Sequence, residues 1–460
     1  MTKRNEPDQP NHPNQPNQPN QPNQPNHPNQ PTHPNQPIQP DLQEMDEREV
    51  AEAIGSAARI TLAPGPREAR ETPATAPQPD DEWALPGGTA WVYLADKEKG
   101  LTRPVILGDG FNSGPSELDF SWEILERGPY PFISALRQRG YDVILLGFDE
   151  RSASILENAE VARAAILETI ARRTGDHPLT VGGFSMGGLV TRYALAKMEH
   201  DGGTGGTGEN DHQTALYFSY DSPHRGAWIP IALQSFAHYI RRLNAAFSNQ
   251  MNSPAARQLL WQHISEWGDT PETDKERGTF LAELDRVGRW PSRPKKIGVA
   301  NGSRIGENNG VPAGEQAFHG KGLAITGTHL YTQSAGEDQL VAQLRVVTLR
   351  RPRIRTANLP EIDSAPGGTL EGFGILADEL NKIPALIGLG SEADFREHCF
   401  VPTVSAIALR DIDTHEKLYE PVTAAAEKES ELDEFLCSSR NEGHTLVTEE
   451  LCTWILDRLP

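Results

Sequence analysis

Ser185 stands at the centre of Gly183-Phe-Ser-Met-Gly187, a G-x-S-x-G run preceded by the apolar stretch Leu179 to Phe184. After it, Leu189, Val190, Tyr193 and Ala194 recur at helical spacing. A serine on so sharp a strand-to-helix turn is pushed into the open, and the residues two places away on either side must be glycine to leave room. The same turn aims backbone N–H groups of the helix N-terminus at the space where negative charge would develop. A serine hydroxyl is nonetheless a poor nucleophile until a base removes its proton, so the pattern calls for a histidine and for a carboxylate to orient it.

The histidine expected in that role is His444, in Arg440-Asn-Glu-Gly-His-Thr445, directly ahead of the last helical pattern. His224, in Ser222-Pro-His-Arg-Gly226, is read as a turn residue, and His398 and His415 are weaker candidates. For the acid, Asp221 closes an apolar run that is expected to neighbour the serine strand. Asp394, Asp411 and Asp413 stay open as alternatives. Behind the strand pattern at Lys296 to Asn301, where such an acid commonly follows, the chain offers only Asn301 and Glu307. The oxyanion donors are expected to be the backbone N–H groups of Phe111 and Met186. Phe111 lies in the glycine-bearing loop Gly108-Asp-Gly-Phe-Asn-Ser-Gly114 behind an early apolar strand. Asp109 in that loop must be turned away or hydrogen-bonded, because a free carboxylate beside an oxyanion opposes the chemistry.

These residues need a frame, and the flanking pattern alternates as a doubly wound parallel sheet does. Strands are expected at Thr89 to Leu94, across Val105 to Leu107, at Asp142 to Gly147, Leu179 to Phe184, Ala215 to Tyr220, Lys295 to Ser303 and Phe400 to Leu409. Helices are expected at Pro131 to Arg139, Ile155 to Arg173 and about Thr448 to Leu459. From 228 to 290 the strand signal gives way to amphipathic helices, the material of a cap over the serine. Residues 304–397 read as an insertion, with β segments at Leu323 to Thr326 and Leu340 to Val347, an irregular stretch at Pro352 to Pro366, and a mixed, partly helical stretch at Thr369 to Leu389.

Residues 1–40 repeat Pro-Asn-Gln or Pro-Asn-His with period three, and the composition predicts a disordered tail. Residues 41–86 read as a linker holding one short helical pattern (Val50, Ala53, Ile54, Ala57), and residues 87–460 as the folded domain. The formal net charge is −21, and the basic residues form no stripe, which argues against nucleic acid as a partner. No apolar run is long enough for a transmembrane segment, and no secretory pattern follows Met1, so a cytoplasmic location is expected. Cys399, Cys437 and Cys452 are too few and too scattered for a disulfide framework or a zinc site. The chemistry sketched above needs no cofactor.

Gly183-Phe-Ser-Met-Gly-Gly-Leu-Val-Thr-Arg-Tyr-Ala-Leu195 resembles the elbow of lipase-like α/β-hydrolases, including triacylglycerol lipases and proteins similar to GPI inositol-deacylases. Asp221-Ser-Pro-His-Arg-Gly-Ala227 is similar to their Thr-Pro-His-x-Gly-Ala segment, and Phe400-Val-Pro-Thr-Val-Ser-Ala406 to their late Val-Pro-x-x-Ser-Ala stretch. The resemblance implies an α/β-hydrolase fold whose triad runs serine, acid, histidine along the chain. It also implies hydrolysis of a small-molecule or lipid carboxylic ester through Ser185 and His444. One departure is that His398 and Cys399 stand where those proteins carry an acidic residue before the Val-Pro segment. Two other outcomes share the fold: acyl transfer to an acceptor other than water, and a non-catalytic binding protein that uses the repeat tail as its arm.

Overall fold

The computed structural model describes residues 75–203, 210–347, 350–383 and 388–460. The repeat tail, the helical pattern at Val50 to Ala57 and part of the loop expected at Asp201 to Thr214 lie outside them.

Eight strands form the main sheet: β1 (Asp81–Leu85), β2 (Gly88–Tyr93), β3 (Pro104–Gly108), β4 (Asp142–Phe148), β5 (Leu179–Phe184), β6 (Thr214–Tyr220), β7 (Lys295–Ser303) and, from near the C-terminus, β15 (Glu434–Ser438). Their spatial order is β1-β2-β4-β3-β5-β6-β7-β15. Every neighbouring pair from β4 to β15 is parallel, whereas β2 runs antiparallel to both β1 and β4. That order, with the second strand reversed, is the α/β-hydrolase fold.

Strands covered on both faces need apolar residues in both phases of the pleat, and β3 and β4 supply them. Ile106, Ile144 and Leu146 face helices α3 (Ile155–Arg172) and α4 (Met186–Gly202). Val105, Leu107, Val143 and Leu145 face α1 (Leu118–Glu126), α2 (Phe132–Gln138) and the terminal helix, Glu449–Leu456. Ser154 caps α3 by accepting the Leu156 N–H, and Thr448 caps the terminal helix by accepting that of Leu451.

Between β6 and β7 lie four helices, α5 (Ile231–Tyr239), α6 (Ala245–Met251), α7 (Pro254–Leu259) and α8 (Lys275–Arg286). Behind β7 a second sheet, order β11-β10-β9-β8-β13, is built from β8 (Gln316–Gly320), β9 (His329–Tyr331), β10 (Gln339–Gln343), β11 (Arg353–Thr356) and β13 (Ser391–Ala393). A separate two-stranded antiparallel sheet pairs β12 (Gly367–Leu370) with β14 (His398–Pro402). Phe236 of α5, Phe318 of β8 and Phe373 share one buried cluster, which joins the helices to the second sheet. No helix among the described residues is long and apolar enough to cross a membrane.

The structure departs from the sequence expectations at several places. The sheet starts inside the stretch read as linker, because β1 pairs with β2 through the tight turn at Gly87, whose φ is +83°. Leu323 to Thr326 is a turn and not a strand, closed by the Ile325 and Thr326 N–H groups on the Gly322 carbonyl. The strand expected at Phe400 to Leu409 ends at Pro402, which opens a helical turn over Thr403–Ala406. In the stretch read as irregular, Arg353–Thr356 is a strand, and β10 ends at Gln343, short of Val347. Helix α1 and strand β15 carried no sequence expectation, and β15 completes the main sheet beside β7.

Candidate active site

The elbow is set by steric crowding. A Cβ on Gly183 would stand 2.2 Å from the Gly187 carbonyl carbon, and one on Gly187 would stand 2.2 Å from the Gly108 oxygen. Ser185 itself has φ 54° and ψ −124°, outside the regions an L-residue prefers. Its N–H continues the β5–β6 ladder by donating to the Tyr220 carbonyl at 2.9 Å, and Met186 opens α4.

Asp221 leaves the end of β6 with φ 48°, and its N–H donates to the Val299 carbonyl on β7 at 2.8 Å. Its carboxylate is fully buried and each oxygen has a donor. Oδ1 accepts the Asn301 N–H at 3.0 Å, and Oδ2 accepts Nδ1–H of His444 at 2.6 Å. On the other side of the imidazole, His444 Nε2 lies 2.8 Å from Ser185 Oγ. Ser185, His444 and Asp221 thus share one hydrogen-bonded chain, although 223 residues separate the acid from the histidine. The Nδ1–H tautomer follows from the carboxylate beside it and leaves Nε2 as the acceptor for the hydroxyl.

Asn301, at the end of β7, also donates through Nδ2 to the Leu446 carbonyl at 2.9 Å and so ties the His444 loop to the sheet. Phe400 packs edge-on against the imidazole, with ring centroids 4.7 Å apart. The sequence pattern assigns neither residue a place at the site. Asn301 stood only where an acid was missing, and Phe400 read as one apolar strand residue among several.

The loop after β3 closes over the serine. A Cβ on Gly110 would lie 3.4 Å from Ser185 Cβ, which puts the backbone ahead of Phe111 directly against the hydroxyl-bearing carbon. Among the described residues no protein acceptor takes the N–H of Phe111, and that of Met186, first in its helix, has no partner in a preceding turn. Asp109 is hydrogen-bonded: Oδ1 accepts the Gly110 N–H and Oδ2 the Ser116 hydroxyl, both at 2.7 Å, with Arg151 Nη1 at 3.7 Å. Burial pushes the Asp109 carboxyl up, against the opposing charge of Arg151. A pocket leads to Ser185, walled by Leu107, Phe111, Phe120, Ile124 and Leu146 with Arg151 as its cation. Helix α1 supplies two of those walls, Phe120 and Ile124.

The other candidates are engaged elsewhere. Asp394 pairs with His319, Asp413 with Lys417, and Asp411 lies 3.9 Å from Arg225. His224 is buried against Ser219 and Arg192, and burial with that neighbouring charge holds it well below the usual histidine range. His398, also buried, is held at about 4 by desolvation, and its Nδ1 meets the Cys399 carbonyl. His415 stacks on Tyr419.

No protein-family model and no curated protein matches this sequence. Solved structures do show a likeness. Bacillus licheniformis lipase BlEst2 in propeptide form is 16% identical over 45% of this chain and 38% of its own, with a TM-score of 0.29. Est1E from Butyrivibrio proteoclasticus is 11% identical over 46% and 73%, with a TM-score of 0.27. An inhibited esterase B from Lactobacillus rhamnosis is 12% identical over 48% and 67%, with a TM-score of 0.28. The match thus spans about two fifths of the BlEst2 propeptide form. The assignment of the fold rests on strand order and direction.

Proposed function

We propose that this chain is a serine hydrolase of carboxylic esters, of the esterase or lipase kind, working through an acyl-enzyme. The observation that carries the reading is the continuous chain from Ser185 Oγ to His444 Nε2 and from His444 Nδ1 to Asp221 Oδ2, buried at one end and open to an apolar pocket at the other.

In the first half-reaction His444 Nε2 takes the hydroxyl proton as Ser185 Oγ attacks the ester carbonyl. Asp221 keeps the ring oriented and stabilises the imidazolium that forms. Negative charge on the carbonyl oxygen meets the backbone N–H groups of Phe111 and Met186, at the N-terminus of α4, whose dipole favours an anion. Collapse expels the alcohol, which receives its proton from His444. A water activated by the same nitrogen then releases the acid and restores Ser185. The wall of Leu107, Phe120, Ile124 and Leu146 suits an apolar part of a small-molecule or lipid ester.

A fluorophosphonate probe, which forms a stable adduct only with an activated serine, tests this reading. Wild type is expected to label and Ser185→Ala to remain unlabelled. Equal labelling of the two, or labelling of neither, overturns the proposal and favours a binding protein on the same fold.

A further inference from the structure

The chain leaves the main sheet after β7, builds four strands of the second sheet, and comes back through β12, whose contacts extend past its antiparallel partner β14. The Thr369 N–H donates to the Glu442 carbonyl at 2.9 Å, and the Thr369 carbonyl accepts the N–H of His444 itself at 2.7 Å. These two bonds make a short parallel bridge between β12 and the loop that carries the base. One residue earlier, Gly368 faces the acid. A Cβ there would stand 2.0 Å from Asp221 Oδ2 and 3.0 Å from its Cγ, and Oδ2 is the oxygen that holds His444 Nδ1–H. Gly368 is not among the left-handed glycines, so lack of space alone excludes a side chain. Asn441 ties the same loop down from its other end: its Oδ1 accepts the Gly367 N–H at 3.1 Å and the Ser303 N–H at 3.0 Å.

We infer that β12 belongs to the catalytic apparatus, with Gly368 and Thr369 as positioning residues that fix the acid and the base of the triad relative to each other. The inference rests on the triad reading above. Acid and base reach the site from a strand end and a distant loop; Tyr220 and Asn301 tie that loop at Leu446, two residues past the base, and β12 holds it at His444 itself. The β12 backbone contacts both, and a side chain at 368 would push Asp221 off the imidazole. Misplacement of a catalytic group by about 1 Å costs on the order of 10²-fold in rate.

The test compares Gly368→Ala with Gly320→Ala, a control in the second sheet where a Cβ would be crowded to 2.4 Å by the Ile325 carbonyl. Two quantities are read: kcat and KM on 4-nitrophenyl butyrate, and the low-field proton NMR signal of His444 Nδ1–H, assigned by its loss in Asp221→Asn. Gly368→Ala is expected to lower kcat by about 10²-fold with KM within about threefold, and to shift or abolish the low-field signal. Gly320→Ala is expected to keep that signal. Asn441→Ala, which adds no atom, is expected to shift the signal as well and serves if Gly368→Ala does not fold. A folded Gly368→Ala with wild-type signal and kcat, or an unshifted signal in Asn441→Ala where Gly368→Ala does not fold, overturns the inference. If wild type cleaves no ester but the signal still responds at 368 and not at 320, the ester reading fails and the positioning role stands.

Discussion

Among the aspartate–histidine pairs of the described residues, two invite comparison, one at the strand ends of the main sheet and one on the second sheet. In both, Nδ1 of the imidazole meets a carboxylate oxygen, at 2.6 Å for His444 and Asp221 and at 2.9 Å for His319 and Asp394. The first pair is fully enclosed, with side chains 0% exposed, whereas His319 and Asp394 are 22% and 32% exposed. The far nitrogen differs too. His444 Nε2 faces the Ser185 hydroxyl, whereas His319 Nε2 faces another carboxylate, that of Glu392, at 3.8 Å. At Asp394, burial raises the carboxyl, but the hydrogen bonds from Gln316 and His319 outweigh it and hold the group below its ordinary value. Residue types alone therefore do not mark a catalytic pair. His263 and Asp274 form a third pair that is buried as well, but His263 Nε2 meets the Met251 carbonyl, so it is the hydroxyl beyond the imidazole that sets His444 and Asp221 apart.

The contrast breaks most sharply at the serine. Ser185→Ala is expected to lower turnover of an activated ester by about 10⁴ to 10⁶, leaving only what the oxyanion donors supply. A loss below tenfold in steady-state assays would put the chemistry elsewhere. At the acid, Asp221→Asn is expected to cost about 10⁴ in kcat, because an amide cannot hold the productive tautomer in the same way. An equal loss in Asp394→Asn would erase the distinction between the pairs.

Asp363 sharpens the comparison as a buried carboxylate with no histidine. It accepts the Gln333 N–H at 2.6 Å and the Trp228 indole N–H, and burial raises it to about 6. The folded protein then holds this proton more tightly than the unfolded chain does. The group's contribution is most favourable below the ordinary aspartate value and is lost as pH rises through about 6. Relative to Asp363→Asn, wild type is expected to lose on the order of 3 kcal/mol of stability between pH 4 and pH 7. Parallel urea-melt profiles for the two proteins would show that Asp363 is not protonated in that range. The smallest effect is expected at Asp394→Asn: turnover within about twofold of wild type and stability within about 1 kcal/mol, since the pair is partly exposed to solvent.

The same contrast explains what the sequence could reveal. Strands β3 to β7 are short apolar runs separated by helical crossovers, and each carries its signal locally, as Val105 to Leu107 and Leu179 to Phe184 do. Ser185 and His444 were legible for a related reason, since a strand–turn–helix and a terminal helix announce their places. In the second sheet only β10 carries such a signal, within Leu340 to Val347. Its strands are three to five residues long and polar on one side, and their partners lie far along the chain, as when Ser391 to Ala393 pairs with Phe318 to Gly320. Strand β15, Glu-Phe-Leu-Cys-Ser, is equally short, and only its seat beside β7 identifies it. Asp221 could be named but not separated from its rivals, because the choice depends on which strand end the base loop reaches.

Ser185 and Asp221, together with Thr445 next to His444, all have positive φ, a backbone that side-chain-bearing residues adopt at a cost on the order of 1–3 kcal/mol each. Three such residues sit on one rim of the main sheet. Warming is therefore expected to unsettle this rim before it frees the β2–β4 side, so that turnover fades while far-UV circular dichroism is still native. In an evolving lineage, glycine at any of the three positions would release that tension, and under the proposed function the more durable protein at Ser185 or Asp221 would be an inert one.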